Sequence, residues 1–392
     1  MLTSIAEKYV KYALIADNLI GKGTVIDAYY GDPSLAKNLP QMTSDGLVNE
    51  LKRLREKLNQ DVMDSQSSSG VFLDRQMSSL TNRLLIHTQS LDLPYTDIIK
   101  LLLDVDLLPS SCIDINIRYN RLEQLLGQIN LKNKLHEAII AWEETGKVSS
   151  EEYISMLEKT IPEFFQKTCE RVIFPTLGEE IANWVIERNK LTFELKKAKE
   201  SWSAYNYYDR DFNGHIIFNK NRSLNVFDIP IFVAHEIYPG HHTNSLIREA
   251  LYSHGKLGLE ATAHLLSSSE SPIIEGIGEY AFSLINQGDI DVNTAIAFEL
   301  DRLRTEVQYL GAMQFYVYQS SPAQVKQFMR QYGLMSPERA EKSFRFIQEW
   351  KYYVPCYFIG FKLVSDAIQQ YGDKIIPSLY GLCNPTILAS LS

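Results

Sequence analysis

Asp228-Ile229-Pro230-Ile231-Phe232-Val233-Ala234-His235-Glu236-Ile237-Tyr238-Pro239-Gly240-His241-His242 is the stretch on which the reading of this chain turns. Asp228-Ile229-Pro230 starts a helix, since proline suits a first turn, where its missing N–H is not needed. Ile231 to Ala234 form an apolar turn leading into His235. Pro239 then has no N–H to give the His235 carbonyl, and its ring collides with that carbonyl. The pair Pro239-Gly240 therefore predicts a kink or bulge near Tyr238. Three of the chain's 8 histidines and one glutamate fall within the last eight residues of the stretch.

Neutral imidazole is the commonest metal ligand, and an adjacent carboxylate is a proton acceptor for metal-activated water. The order resembles the His-Glu-x-x-His of zinc peptidases, with extra residues before the second histidine. In an unbroken helix His241 would sit roughly 240° around from His235 and about 9 Å along the axis. His242 would be nearly on the same face but about 10.5 Å along. Zinc–nitrogen bonds of about 2.0–2.1 Å make a straight helix unsuitable for either. A bulge absorbing two residues favours His241 as the ligand, with His242 kept as the alternate.

A third protein ligand leaves the fourth position to water. Ser271-Pro272-Ile273-Ile274-Glu275-Gly276-Ile277-Gly278-Glu279 offers two carboxylates at i, i+4 on one helical face. Glu275 is the expected ligand, and Glu279, one turn on, the acceptor for the free N–H of a ligating histidine. Two glycines inside this helix cost about 1 kcal/mol each relative to alanine and predict a close approach to the His235 helix. Tyr238, Tyr357 and His215 are candidates to donate a hydrogen bond to an oxyanion. Arg302, Arg304 and Arg345 are candidates to clamp a peptide carboxylate. His87, His136, His254 and His264 show no arrangement of interest, and Gly21-Lys22-Gly23 lacks the rest of a phosphate loop.

Around this centre the chain reads as mainly α. Leu47 to Leu58 carry apolar residues at three- and four-residue intervals, the pattern of an amphipathic helix. Similar segments run over about 75–90, 116–126, 151–157, 179–202 and 293–318. Ser336-Pro337-Glu338 predicts a capped helix running to about Trp350. Strand signals are scarce, and Gly214 to Asn219 is the best of them. Gly21–Gly23 and Gln66–Gly70 look like loops. The expectation is a large two-lobed helical, metallopeptidase-like fold with one or two short strands beside the cleft. Its N-terminal lobe spans 1–200 and its C-terminal lobe 201–392, the two forming one continuous unit.

The chain's 392 residues allow a substantial core, and 45% hydrophobic with 22% charged residues is ordinary for a globular protein. A net charge of -9 argues against nucleic-acid or anionic-membrane partners. Charges near the N-terminus fall where a signal peptide needs its apolar core, and no apolar run is long enough to span a membrane. The 4 cysteines are widely separated, as in a reducing compartment. A cytoplasmic location is expected.

His-Glu-x-Tyr-Pro-Gly-His-His followed by Glu-Gly resembles the bacterial and archaeal zinc-peptidase-like family known as domain of unknown function 885. It is distantly similar to peptidases whose third zinc ligand is a glutamate on a second helix; dipeptidyl peptidase III also carries an insertion inside this motif. The resemblance covers roughly 205–360, including Phe218-Asn219, Gly333 to Ala340, and the Tyr-x-x-Gly of Tyr357 to Gly360. It implies His235, His241 and Glu275 as zinc ligands and Glu236 as general base. Many members have Trp where this chain has Ile277, a change expected to alter cleft packing. The implied activity is zinc-dependent hydrolysis of short peptides, with the Gly214–Asn219 strand pairing the substrate backbone. A zinc hydrolase of non-peptide amides and a catalytically silent helical binding protein are the rival readings.

Overall fold

Leucines at helical spacing in Ser44–Asn59 bury Leu47, Leu51, Leu54 and Leu58 along one face. They meet Ile5 and Tyr9 of helix Leu2–Ile20 and Leu73, Met77 and Leu80 of helix Ser68–His87. The computed structural model describes every residue except 132–133, 222–223, 289 and 392. The fold is mainly α, as the periodicity predicts. Among the described residues no helix is long and apolar enough to cross a membrane.

Caps mark several helix starts. Ser336 accepts from Arg339 N–H at the head of Pro337–Glu349, and Asp291 accepts from two N–H groups at the head of Val292–Tyr316. Satisfying such orphan donors is what makes serine and aspartate good first residues. Gln66–Gly70, read as a loop, is instead the junction of two helices, with Ser67 capping the second through Gly70 N–H. The serines that suggested a loop supply the cap.

Among the described residues five short strands form two small sheets, more than the one or two expected. Strand β1 (Ile26–Tyr29) pairs antiparallel with β5 (Ala263–Leu265). Strands β2 (Lys190–Lys196), β3 (Ala204–Asp209) and β4 (Asn213–Asn219) lie in the order β2-β4-β3, with β2 parallel to β4. The helix expected over 179–202 stops at Arg188. Beyond it Leu191, Phe193 and Leu195 alternate with polar residues, a period of two. Strand β1 is aimed by a loop organised from the first helix. The Asp17 carboxylate accepts from the N–H groups of Gly23, Val25 and Ile26.

The largest apolar core draws from Ala28 to Leu388, on both sides of residue 200. Helix Ser271–Ile285, carrying Glu275, packs along helix Pro355–Tyr371, carrying Tyr357. Two glycines set that approach: a Cβ on Gly276 would lie 2.3 Å from Gly360 O, and one on Gly360 2.1 Å from Pro272 O. Cys169, Cys356 and Cys383 are buried and unpaired, so they serve packing.

Candidate metal centre

The helix bearing His235 and Glu236 spans Ile229–Glu236, and the next begins at His241. The break is a full interruption, wider than the kink expected near Tyr238. Tyr238 N–H reaches Val233 O at 3.0 Å and Gly240 N–H reaches Ala234 O at 2.8 Å. The chain folds back so tightly that a Cβ on residue 240 would lie 1.7 Å from His235 O. Only glycine fits there. Tyr380 donates to Pro239 O at 2.7 Å and pins the turn from outside. The result places His241 Nε2 3.1 Å from His235 Nε2.

Glu275 completes the triangle. Its Oε2 lies 3.4 Å from His235 Nε2 and its Oε1 3.5 Å from His241 Nε2. Ligands bound tetrahedrally at about 2.0–2.1 Å are roughly 3.3–3.4 Å apart, and these separations lie near that spacing, although Glu275 meets the two rings through different oxygens. Glu275 Oε2 is buried without a hydrogen-bond partner, and Tyr353 Oη donates to Oε1 at 2.6 Å. Glu279 stands where the sequence put it, with Oε1 3.3 Å from His235 Nδ1. An Nδ1–H directed at Glu279 fixes the tautomer that leaves the Nε2 lone pair facing the triangle. Gly278 makes room for this ring, since a Cβ there would meet His235 at 2.9 Å. The close approach read from the two glycines thus divides: Gly278 admits His235, and Gly276 admits the Tyr357 helix.

The surrounding charges favour a cation at this point. Burial alone would lower the His235 pKa, but the adjoining Glu275 carboxylate and the charge of Glu236 outweigh it and raise it. Burial would raise Glu275, yet His241 and His235 hold it below the usual carboxylate value. His241 is lowered to about 4 by burial against the pull of Glu275. Near neutral pH His241 is therefore neutral and Glu275 ionised, the forms that bind a metal. Burial pushes Glu236 up to about 7, with Glu275 and Asp27 adding to the effect and His235 opposing it.

No protein-family model and no curated protein matches this chain. Solved structures do share its fold. One is a candidate lipoprotein of unknown function from Shewanella oneidensis, 12% identical, with a TM-score of 0.54 over 92% of this chain and 75% of that one. Another is a candidate lipoprotein from Colwellia psychrerythraea, 15% identical, with a TM-score of 0.56 over 98% of this chain and 74% of that one. At these identities the likeness is one of fold.

The cleft over the triangle is bordered by Glu236, Tyr353 and Tyr357, by Asp27 of β1, and by Ala204 to Asn206 of β3. The Tyr357 ring stacks 6.3 Å from His235. Other sequence candidates lie elsewhere. His242 turns the opposite way from His241, its Nε2 2.9 Å from Asn189 Oδ1 and its ring packed on Gly214, so it is no alternate ligand. Tyr238 is buried and accepts from Asn189 Nδ2 at 2.6 Å, away from the cleft. His215 sits on β4 with its Nδ1 2.9 Å from Thr192 Oγ1 and Nε2 3.4 Å from Glu194. Consecutive residues point to opposite faces of a strand and about 100° apart around a helix, so a histidine beside a ligand need not share its direction.

The expected pairing strand is also corrected. Strand β4 is the centre of its sheet, with both edges occupied, and β3 at the edge borders the cleft. None of the three arginines lines the cleft. Arg302 is buried and bonds Glu279. Arg304 bonds Glu143 at 2.9 Å and Arg345 pairs with Glu349 at 3.4 Å. Ile277 is buried in the main core, and Ile274 is the isoleucine at the cleft. Sequence reading missed Tyr353, four residues before Tyr357, whose i, i+4 spacing was available as a signal. It also missed Asp27, Asn244 and His264. Asp27 carries no local signal, since only the β1–β5 pairing and the Asp17 loop bring it to the site.

Proposed function

We propose that this chain is a zinc-dependent peptidase acting on short peptides. The observation that carries the reading is the convergence of His235, His241 and Glu275, whose ligand atoms all lie within 4.8 Å of one another. Two imidazoles and one carboxylate are the donor set of zinc hydrolases with an open fourth position. A bound zinc ion would supply Lewis acidity and lower the pKa of water. Glu236 accepts the proton of the attacking water and returns it to the leaving amine. A value near neutrality suits a group that must do both. Tyr357, across the cleft, donates to the developing oxyanion. Glu279 fixes the His235 ring, and Arg302 fixes Glu279.

The resemblance to the domain-of-unknown-function-885 family supports the same assignment, residue by residue. An edge strand at the cleft favours a peptide backbone over a small amide. The Glu275 carboxylate faces both histidines, which supports this reading over a silent, metal-free binding protein, whose signature would be absence of zinc. Elemental analysis of the purified protein should find about one zinc per chain, lost in Glu275→Ala. Glu236→Gln should keep the metal and lower peptide hydrolysis by about 10²–10⁴-fold. Hydrolysis by that variant at the wild-type rate would show that Glu236 is not the base.

A further inference from the structure

The cleft holds more hydrogen-bond acceptors than its own donors satisfy. Asp27 reaches it from β1, and Tyr205 Oη donates to Asp27 Oδ1, which orients the carboxylate without neutralising it. Asn244 follows His241 by three residues on the same face of its helix. It is 2% exposed, borders the cleft, and its Oδ1 has no hydrogen-bond partner. Asn206, on the edge strand β3, also borders the cleft with a buried and unpartnered Oδ1. A buried acceptor left without a donor is destabilising, so each is a vacancy for an N–H group.

Charge points the same way. Among the described residues lining the cleft there is no lysine or arginine, while Asp27, Glu236 and Glu275 all contribute carboxylates. Glu275 faces the two histidines and Glu236 is the proposed base, which leaves Asp27, bonded by Tyr205, as the carboxylate without a cationic partner in the cleft. A substrate's terminal carboxylate would find no basic side chain among the described residues of the cleft. The arginines best suited to hold one are engaged with Glu143, Glu279 and Glu349. An ammonium group presents three N–H donors and a positive charge, matching Asp27, Asn206 and Asn244 in number and sign.

We infer that Asp27, with Asn206 and Asn244, recognises the free amino terminus of a peptide, and that the chain trims peptides from their amino ends. The trimming rests on the peptidase reading; the amine recognition does not. A lysine side chain offers the same ammonium group, so the test separates the two sources.

Calorimetry on the Glu236→Gln protein as purified, chosen because its expected turnover is slow, compares four forms of one pentapeptide. These are the free peptide, its N-acetylated form, its C-amidated form, and an N-acetylated form carrying one internal lysine. N-acetylation should raise Kd by about tenfold or more, the worth of one charge-assisted hydrogen bond. C-amidation should change Kd by less than about threefold. Adding Asp27→Asn should remove the penalty of acetylation. Equal binding of free and acetylated peptides would overturn the inference, as would a larger loss on amidation. Recovery of affinity by the internal lysine would overturn the amino-terminal assignment. The comparison on Glu236→Gln alone decides the matter if the Asp27→Asn protein fails to fold. With wild-type enzyme, mass spectrometry should show residues leaving the amino end. Selective binding without any cleavage would sink the peptidase reading and leave amine recognition standing.

Discussion

His235 stands at the end of a relay that starts in the core. Arg302, 3% exposed, bonds Glu279, and Glu279 holds His235 Nδ1. A buried arginine next to a buried acid makes sense where the acid must stay ionised to orient a ring. Glu279→Gln should therefore weaken zinc binding by about 10–100-fold without touching a ligand atom, as read by chelator competition. An unchanged affinity would mean that Glu279 serves only packing. The neighbouring histidines separate cleanly. His241→Ala should lose the metal, whereas His242→Ala should keep it and lower stability by about 1–3 kcal/mol, since Asn189 Oδ1 loses the His242 ring. A folded His242→Ala protein without metal would contradict the assigned ligand set. Metal content and a denaturant melt on each variant decide between these outcomes.

At the scale of elements, the site depends on how closely helix Ser271–Ile285 lies against helix Pro355–Tyr371. Gly276 and Gly360 face each other there, with backbone atoms where side chains would otherwise be. Gly276→Ala should cost about 1–3 kcal/mol through overpacking and displace Glu275 from Tyr353. Gly127, near the end of helix Ile115–Gln128, meets nothing within 4 Å of an added Cβ. Gly127→Ala should raise stability by about 0.5–1 kcal/mol by restricting the unfolded chain. Denaturant midpoints of the two variants, measured side by side, should move in opposite directions. A shared direction would show that helix packing does not govern the Gly276 position.

The whole molecule is tied across its length by a polar junction. Glu143, on helix Leu135–Thr145, accepts from Arg304 at 2.9 Å and from Arg339 at 3.0 Å. Burial would raise its pKa, but Arg304 and Arg339 outweigh burial and lower it below the usual carboxylate value. The linkage sign follows: the folded state releases this proton more readily than the unfolded chain. The stabilisation is whole above the unfolded value of about 4.3 and is lost as pH falls through the depressed folded value. Glu143→Gln should thus be less stable than wild type by roughly 1–3 kcal/mol near pH 7, with a smaller gap at an acid pH below the usual carboxylate range. Urea titrations of both proteins at the two pH values check this. A constant gap would place the effect in packing instead.

Local rules carried the sequence reading a long way. Periodicity and capping located helices Ser44–Asn59, Val292–Tyr316 and Pro337–Glu349, because those signals act within one or two turns. Pro239-Gly240 announced the helix break, and the i, i+4 pair placed Glu279 behind His235, for the same reason. Strands β2 and β3 escaped because short strands take their stability from partners elsewhere in the chain. Which histidine turns inward, what Arg302 holds, and that Asp27 reaches the cleft were decided only by the tertiary structure. Each depends on groups separated by tens to hundreds of residues, and their approach is set by packing, which no local spacing records.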